Sequence, residues 1–182
     1  MKVPLHLYNS RLRYDIRHKF IYCENFKIAS STWAAHLLKL KHQKSHTRLG
    51  APVREIHRKA KMAYPKLAGN RRKSLKENST SFVIVRDPFE RLLSAFNDKM
   101  VAHFTSTRPG WETFGKTQRI IRSKYRKKKR PGLKPTFEEF VAFLVGELHA
   151  GTKPMKKMTK NINDHWKPVY LNCSPCTERY FK

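Results

Sequence analysis

Two segments of the sequence combine residue types that bind anions, and the first runs from Phe26 to Trp33. It reads Phe-Lys-Ile-Ala-Ser-Ser-Thr-Trp, a lysine followed by small hydroxyl residues where a helix is predicted to begin. The first N–H groups of a helix point at one spot and the helix dipole favours negative charge there, so Lys27 would complete a small anion site. Taken alone, the segment is more typical of an ordinary capped helix with a surface lysine, because it lacks the glycine spacing of nucleotide triphosphatases.

The second segment, residues 85–94, makes anion binding the stronger interpretation. Arg86 ends an apolar run, at the edge where open α/β sheets bind ligands, and its planar guanidinium can hold two phosphate oxygens together. Ser94, two turns into the following helix, could add a hydroxyl donor. Asp87 and Glu90 are better suited to cap that helix than to act as acid catalysts. Two such turns would suit a ligand that carries two separated anionic groups.

Each of these segments follows a short apolar run rich in strand formers, at residues 19–23 and 82–86. Apolar residues then recur at helical spacing after both runs. Pro88 suits the first position of a helix, and the preceding aspartate can cap it. Strand, loop and helix, repeated twice, predict an α/β domain with a central, largely parallel sheet flanked by helices.

A third helix is predicted after Pro135, because Thr136 and Glu139 form a capping box ahead of apolar residues at helical spacing. Two stretches without acidic residues, 56–76 and 113–137, separate the predicted elements. The length of 182 residues predicts one domain, with residues 113–135 as a basic insertion.

The net charge of +27, from 40 lysines and arginines against 13 acidic residues, predicts an anionic partner. Candidates are nucleic acid, acidic polysaccharide, a phosphate-bearing small molecule or a lipid surface. Hydrophobic residues make up 39% of the chain, which is enough for a core and excludes wholesale disorder.

The targeting features of the sequence support two different locations, the cytosol and the secretory pathway. No segment approaches the roughly 20 apolar residues that span a bilayer, and the first thirty residues are too charged for a signal peptide. Taken literally, this predicts a soluble, cytosolic chain. Asn78 and Asn172 nevertheless begin Asn-X-Ser/Thr triplets, potential glycosylation sites that indicate a secretory history. A membrane anchor upstream of this sequence would reconcile the two indications.

Together these residues resemble the Golgi carbohydrate sulfotransferases, and most closely the chondroitin, dermatan and N-acetylgalactosamine 4-O-sulfotransferases. Residues 27–33 resemble the loop that binds the 5′-phosphosulfate of the donor in that family, and residues 86–94 resemble its 3′-phosphate motif. Further similar segments are Tyr22-Cys23, residues 136–140, His165-Trp166-Lys167-Pro168 and Cys173-Ser174-Pro175-Cys176.

The resemblance implies a P-loop-like α/β fold and transfer of a sulfuryl group from 3′-phosphoadenosine 5′-phosphosulfate (PAPS) to a hydroxyl of an anionic glycan, with no metal and no nucleic-acid partner. Residues implied to bind the donor are Lys27, Ile28, Ala29, Ser30, Ser31, Thr32, Trp33, Arg86 and Ser94. Lys27 is also expected to neutralise charge on the leaving phosphate. The implied location is the luminal side of the Golgi membrane, through an anchor absent from this sequence.

The sequence departs from the family pattern around the first loop and at its C-terminal end. Phe26 stands where the family usually has proline, residues 30–32 where it has Cys-Thr-Asn or a similar triplet, and Ala34 where it often has lysine, although the loop keeps its hydroxyls. Family members continue past the position of Cys176 with a further strand and helical region. We therefore expect this chain to be a fragment or an unusual member, in which donor binding could survive when turnover does not.

The general base must remove a proton from the acceptor hydroxyl, and histidine suits this task because it titrates near neutral pH. His57 lies between the two motifs, where related enzymes place acceptor-side residues, and is the first candidate. His36, His165 and Glu55 are the alternatives.

Cys173 and Cys176 form a CxxC pair without enough neighbouring ligands for zinc. In the oxidising lumen that the resemblance implies, we expect a disulfide between them, with Cys23 as a buried thiol.

The basic run 124–130 has two interpretations, a mobile solvated loop or a groove for an anionic glycan. The residues expected to bind the acceptor in the second case are Lys124, Arg126, Lys127 and Lys128. The rival function for the whole chain is that of a non-catalytic basic protein that binds nucleic acid or another polyanion.

Overall fold

The computed structural model describes residues 11–42, 52–65, 78–102, 112–127, 131–149 and 163–173. The chain divides into two compact units, Met1–Val85 with Lys167–Lys182, and Arg86–Trp166, where the length predicts a single domain. The elements in chain order are β1 (Leu12–Asp15), β2 (Phe20–Cys23), α1 (Ser30–His42), α2 (Val53–Ala63), β3 (Thr80–Val83), α3 (Pro88–Phe96) with π-helical turns over Asn97–Ala102, α4 (Glu112–Tyr125), α5 (Phe137–His149) and α6 (Val169–Cys173).

A three-stranded sheet in the order β1-β2-β3 forms the centre of the first unit. β1 pairs with β2 antiparallel and β3 pairs with β2 parallel, so the sheet is mixed rather than largely parallel. β1 is absent from the sequence prediction because Arg13 and Asp15 break its apolar pattern, yet both charged residues are buried. Because β2 and β3 are parallel, the chain leaves both strands at the same edge of the sheet.

Two helices connect β2 to β3 in the described part of the chain. α1 and α2 pack on each other through Ala34, Leu38 and Ala60. Leu37 of α1 packs against Tyr22 of the sheet, and the hydroxyl of Tyr64 donates to the Leu37 carbonyl at 2.7 Å. The sequence prediction missed α2, most of which lies in a basic stretch, because its apolar stripe toward α1 consists only of Ile56, Ala60 and Ala63.

A disulfide joins the end of β2 to α6, between Cys23 and Cys173, whose Cα atoms are 5.8 Å apart. The expected partnership of Cys173 with Cys176 is therefore wrong, and Cys23 is not a free thiol. The sequence could not indicate this pairing, since it depends on α6 returning beside a strand 150 residues earlier. Cys176 lies outside the described residues.

The second unit is a helical cluster around aromatic side chains, with Trp166 packed edge-on to Phe140 at a centroid distance of 5.4 Å. Its buried core consists of Ala95, Phe96, Met100, Phe114, Ile121, Phe140, Phe143 and Trp166. Residues 112–125, expected to begin a basic insertion, instead form the packed helix α4. The basic side chains of α4 at positions 116, 119 and 124 are exposed, so this part of the basic stretch is the solvated face of an amphipathic helix.

Two helix starts follow the sequence prediction. The amide of Thr136 donates to the Glu139 carboxylate at 3.0 Å, and the amide of Glu139 donates to the Thr136 hydroxyl at 3.2 Å, which is the predicted capping box. The carboxylate of Asp87 caps α3 by accepting two backbone hydrogen bonds. Within the described residues, no helix is both long and apolar enough to span a membrane.

Candidate active site

The loop between β2 and α1 has an unusual backbone conformation. Lys27 and Ala29 have φ angles of 63° and 60°, in the left-handed region that residues other than glycine rarely occupy. The carbonyl of Ala29 accepts the first helical hydrogen bond, from Trp33 at 3.0 Å. The amides of residues 30–32 therefore begin α1 without acceptors inside the helix, which is the arrangement that binds anions. Such strain, about 1–3 kcal/mol per residue, is concentrated at functional sites.

Buried side chains anchor this loop from below. Ile28 and Asn25 are buried, and the Asn25 side-chain oxygen accepts from the Phe26 amide and from the Asn172 side chain, both at 3.0 Å. The guanidinium of Arg11 lies over the Phe26 ring, 4.4 Å from its centroid. The aromatic ring at position 26 thus has a structural contact of its own.

His57 of α2 meets this loop. Its Nε2 lies 3.1 Å from the Ser31 hydroxyl, and its Nδ1 lies 3.1 Å from a carboxylate oxygen of Glu24. The packing of α1 on α2 explains this contact, because it places His57 beside the first turn of α1. The residue expected to be the base and a residue expected to bind the donor are therefore adjacent.

Sequence reasoning missed Glu24, the residue directly after β2. It is 6% exposed and pairs with Arg13 on the neighbouring strand, which is 5% exposed. Burial by itself would raise the pKa of Glu24, but the hydrogen bond with His57 and the charge of Arg13 outweigh it and hold that pKa below its ordinary value. The signal available in the sequence was an acidic residue at the carboxyl end of a strand.

The other candidate bases lie elsewhere. Glu55 pairs with Lys59 at 2.7 Å on the exposed side of α2. His36 is exposed on α1 and stacks edge-on to Trp33. His165 belongs to the second unit, where its Nδ1 lies 2.7 Å from the Asn163 side-chain oxygen.

The second motif begins the second unit. The Nε of Arg86 lies 3.1 Å from the Glu90 carboxylate in an exposed pair, and such pairs contribute little, so an incoming anion can compete. Ser94 is half-buried on α3. Arg91 is only 5% exposed and donates to the Asp164 carbonyl at 3.3 Å. Burial lowers the pKa of Arg91.

Of the residues expected to bind the acceptor, Arg126 has a different role. Its guanidinium donates to both carboxylate oxygens of Glu139 at 3.0 and 3.1 Å, and to the carbonyls of Gly132 and Lys134. These bonds commit Arg126 to holding the loop before α5 and correct the expectation that it binds a glycan. Lys124 and Lys127 are exposed, and position 128 lies outside the described residues.

The two predicted glycosylation sites differ in exposure. Asn78 is exposed just before β3. Asn172 is 4% exposed and its amide nitrogen donates to the Asn25 side chain at 3.0 Å, so the nitrogen that would carry a glycan is buried. The expectation of a glycan at Asn172 is therefore wrong for the folded chain.

Comparisons with known proteins agree on one family. The model of the Sulfotransferase family matches residues 10–181. Carbohydrate sulfotransferase 11 of Rattus norvegicus is 29% identical over 178 residues, which cover 91% of this chain and 46% of that protein. Carbohydrate sulfotransferase 10 of Xenopus laevis is 32% identical over 173 residues, covering 90% and 45%, and carbohydrate sulfotransferase 14 of Mus musculus is 31% identical over 174 residues, covering 90% and 39%.

The chain thus spans about half the length or less of these curated relatives, while the matches cover nearly all of the chain. No solved structure matches it significantly. The family match includes the strained loop, His57 and the segment that begins at Arg86. The chain therefore belongs to the sulfotransferase family, and the relatives that it matches are carbohydrate sulfotransferases.

Proposed function

We propose that this chain carries the donor site and the general base of a PAPS-dependent carbohydrate O-sulfotransferase. The observation that carries the proposal is the 3.1 Å contact between His57 Nε2 and the Ser31 hydroxyl, at the start of a helix that offers unpaired N–H groups to an anion. A basic nitrogen beside an anion loop is what transfer of a sulfuryl group to a sugar hydroxyl requires. The names of the relatives support the same reaction class.

The chemistry of the loop suits a phosphosulfate. Lys27 contributes a positive charge, the first amides of α1 contribute directed donors, and Ser31 and Thr32 contribute hydroxyls. The succession of strand β2, strained loop and helix α1 also supports a P-loop-like arrangement for the first unit. In the second unit, Arg86 and Ser94 are the proposed ligands of the 3′-phosphate.

In the proposed reaction, PAPS supplies a sulfuryl group attached to a phosphate that can leave. His57 accepts the proton of the acceptor hydroxyl at Nε2, and the oxygen that loses this proton forms the new bond to sulfur. The sulfur–oxygen bond to the phosphate breaks, and its electron pair stays with the phosphate. Lys27 lies in the loop that would stabilise the charge developing there.

The proposed acceptor is a glycan of the chondroitin, dermatan or N-acetylgalactosamine type, and the proposed location is the luminal side of the Golgi membrane. A disulfide between Cys23 and Cys173 suits an oxidising compartment, and the exposed Asn78 could carry a glycan there. Lys124 and Lys127 remain proposed contacts for the anionic groups of the acceptor. The activity, substrates and partners of the whole protein are part of this proposal.

Calorimetric titration tests the donor site. We expect 3′-phosphoadenosine 5′-phosphate to bind the 182-residue chain at least tenfold more tightly than 5′-AMP, because only the former has both anionic groups. Arg86→Ala should remove that preference, and Lys27→Ala should weaken the binding of both nucleotides. Arg119→Ala, which removes an exposed arginine of α4, is the matched control and should change neither.

A second measurement tests the base. Transfer of labelled sulfate from PAPS to chondroitin should fall at least about 100-fold in His57→Gln, while nucleotide binding stays unchanged.

In the titration, equal binding of the two nucleotides, unaffected by Arg86→Ala, would contradict the donor site. The rival function, a non-catalytic polyanion binder, would then be favoured, because it depends on net charge alone.

A further inference from the structure

We infer that Glu24, held in place by Arg13, is a positioning residue that sets the tautomer and orientation of His57, so that the Nε2 lone pair faces the loop. The inference deepens the proposed function, because the use of that lone pair in sulfuryl transfer rests on it. The geometry itself belongs to the unliganded chain.

The position of Glu24 is determined by the sheet. Its amide donates to the Arg11 carbonyl at 2.9 Å, which continues the β1–β2 ladder by one bond beyond Cys23. Its carboxylate forms an ion pair with Arg13, and both side chains are buried. A buried carboxylate with a partner on each side has little freedom to rotate away, so Glu24 offers His57 a stationary acceptor.

The chemistry of the pair decides where the imidazole proton lies. An ionised carboxylate can only accept hydrogen bonds, so the Nδ1 of His57, 3.1 Å from Glu24, must carry a hydrogen. In the neutral ring the lone pair is then on Nε2, and the Ser31 hydroxyl, 3.1 Å away, donates to it. Rotating the His57 imidazole by 180° would break both hydrogen bonds.

This arrangement serves a base in two ways. The lone pair is directed at the loop before any substrate arrives, and the carboxylate stabilises the imidazolium that forms when Nε2 takes a proton. The charged groups that face Glu24 are Arg13 and Arg11, from β1 and the residue before it. Arg13 keeps the carboxylate ionised, which preserves its role as an acceptor.

Nitrogen-15 NMR of the histidine side chains in the unliganded 182-residue chain tests the inference. The His57 signal is identified by its loss in His57→Gln. At a pH where the ring is neutral, we expect the wild-type ring to be almost entirely the tautomer with hydrogen on Nδ1. Glu24→Leu should shift the population toward the Nε2–H tautomer. Glu24→Gln should shift it at least as far, because its single oxygen faces the charged Arg13 and its NH2 group then donates to Nδ1.

Glu139→Gln is the matched control, because it makes the same change in another ion pair between arginine and a buried glutamate, in the second unit. It should leave the His57 signals unchanged even if it lowers stability. A wild-type ring with hydrogen on Nε2 would overturn the inference, as would identical His57 spectra for the wild type and Glu24→Leu. If Glu24→Leu does not fold, Glu24→Ala takes its place, and retention of the wild-type tautomer in that variant overturns the inference.

Kinetics separate this inference from the proposed function. In the sulfate-transfer assay, Glu24→Leu and Glu24→Gln should each lower kcat at least tenfold with little change in KM for PAPS. Turnover that requires His57 but not Glu24 would overturn the inference alone. The expected tautomer in a chain that binds no nucleotide would support the positioning role and contradict the proposed function.

Discussion

At the scale of single residues, the loop between β2 and α1 has a strained backbone. Lys27 and Ala29 both have positive φ angles although neither is a glycine. These two residues flank the buried Ile28 directly before α1, whose first amides have no acceptors inside the helix. A loop of this shape is retained against its conformational cost only where the surrounding packing determines it, here through Ile28 and Asn25.

Substitution at Ala29 tests this conformational cost. Because Ala29 is exposed, its replacement changes backbone strain rather than packing. We expect Ala29→Val to lower the free energy of unfolding by about 1–2 kcal/mol, and Ala29→Gly to leave it unchanged or raise it by up to about 1 kcal/mol. Urea denaturation measures both. Ala35→Val, inside α1, is the comparison. If it lowers the free energy of unfolding as much as Ala29→Val does, the loop is not strained.

At the scale of elements, the charged residues of β1 and β2 connect the sheet to the site. β1 has buried charged residues, and one of them, Arg13, neutralises Glu24 at the end of the neighbouring strand. α2 then supplies His57 because it packs on α1, where Ala60 contacts Ala34 and Leu38. In this way the β1–β2 ladder determines the position of a side chain on a helix that is distant in sequence.

The lowered pKa of Glu24 predicts how stability depends on pH. Its folded-state pKa is below the ordinary value of 4.5, so its ionised form stabilises the folded chain. That contribution is complete above about pH 4.5 and is lost as the pH falls through the lower, folded-state pKa. Denaturation between pH 7 and pH 3 should therefore show a steeper decline for the wild type than for Glu24→Gln. Parallel declines would contradict a stabilising carboxylate.

At the scale of the whole molecule, a disulfide connects the two chain segments that make up the first unit. The chain leaves this unit after Val85, forms the second unit and returns at Lys167. The disulfide from Cys23 to Cys173 therefore closes a loop that contains the entire second unit. In the loop-entropy description, closing about 150 residues stabilises the fold by about 5 kcal/mol.

Reduction of this bond should destabilise the chain by a large part of that amount. Urea denaturation with and without a reductant measures the loss, and peptide mapping without reductant should recover Cys23 and Cys173 in one linked fragment. Cys176→Ala should retain the sensitivity to reductant, whereas Cys23→Ala should abolish it. If Cys176→Ala is no longer sensitive to reductant, the disulfide instead joins Cys173 to Cys176.

The local features were predictable from the sequence because their causes lie within a few residues. The capping box of Thr136 and Glu139, the Asp87 cap, strand β2 and the start of α1 all depend on neighbours in the chain. The sequence therefore determined the family resemblance and these local elements.

Other features depend on which distant segments meet, and only the tertiary structure decided them. Packing of α1 on α2 brings His57 to Ser31, and pairing of β1 with β2 places Arg13 beside Glu24. The return of α6 selects Cys23 as the disulfide partner. A charged or polar side chain is buried at low cost only with a partner. The sequence gives the side chain but not the partner, which for Asn25 is Asn172, 147 residues away.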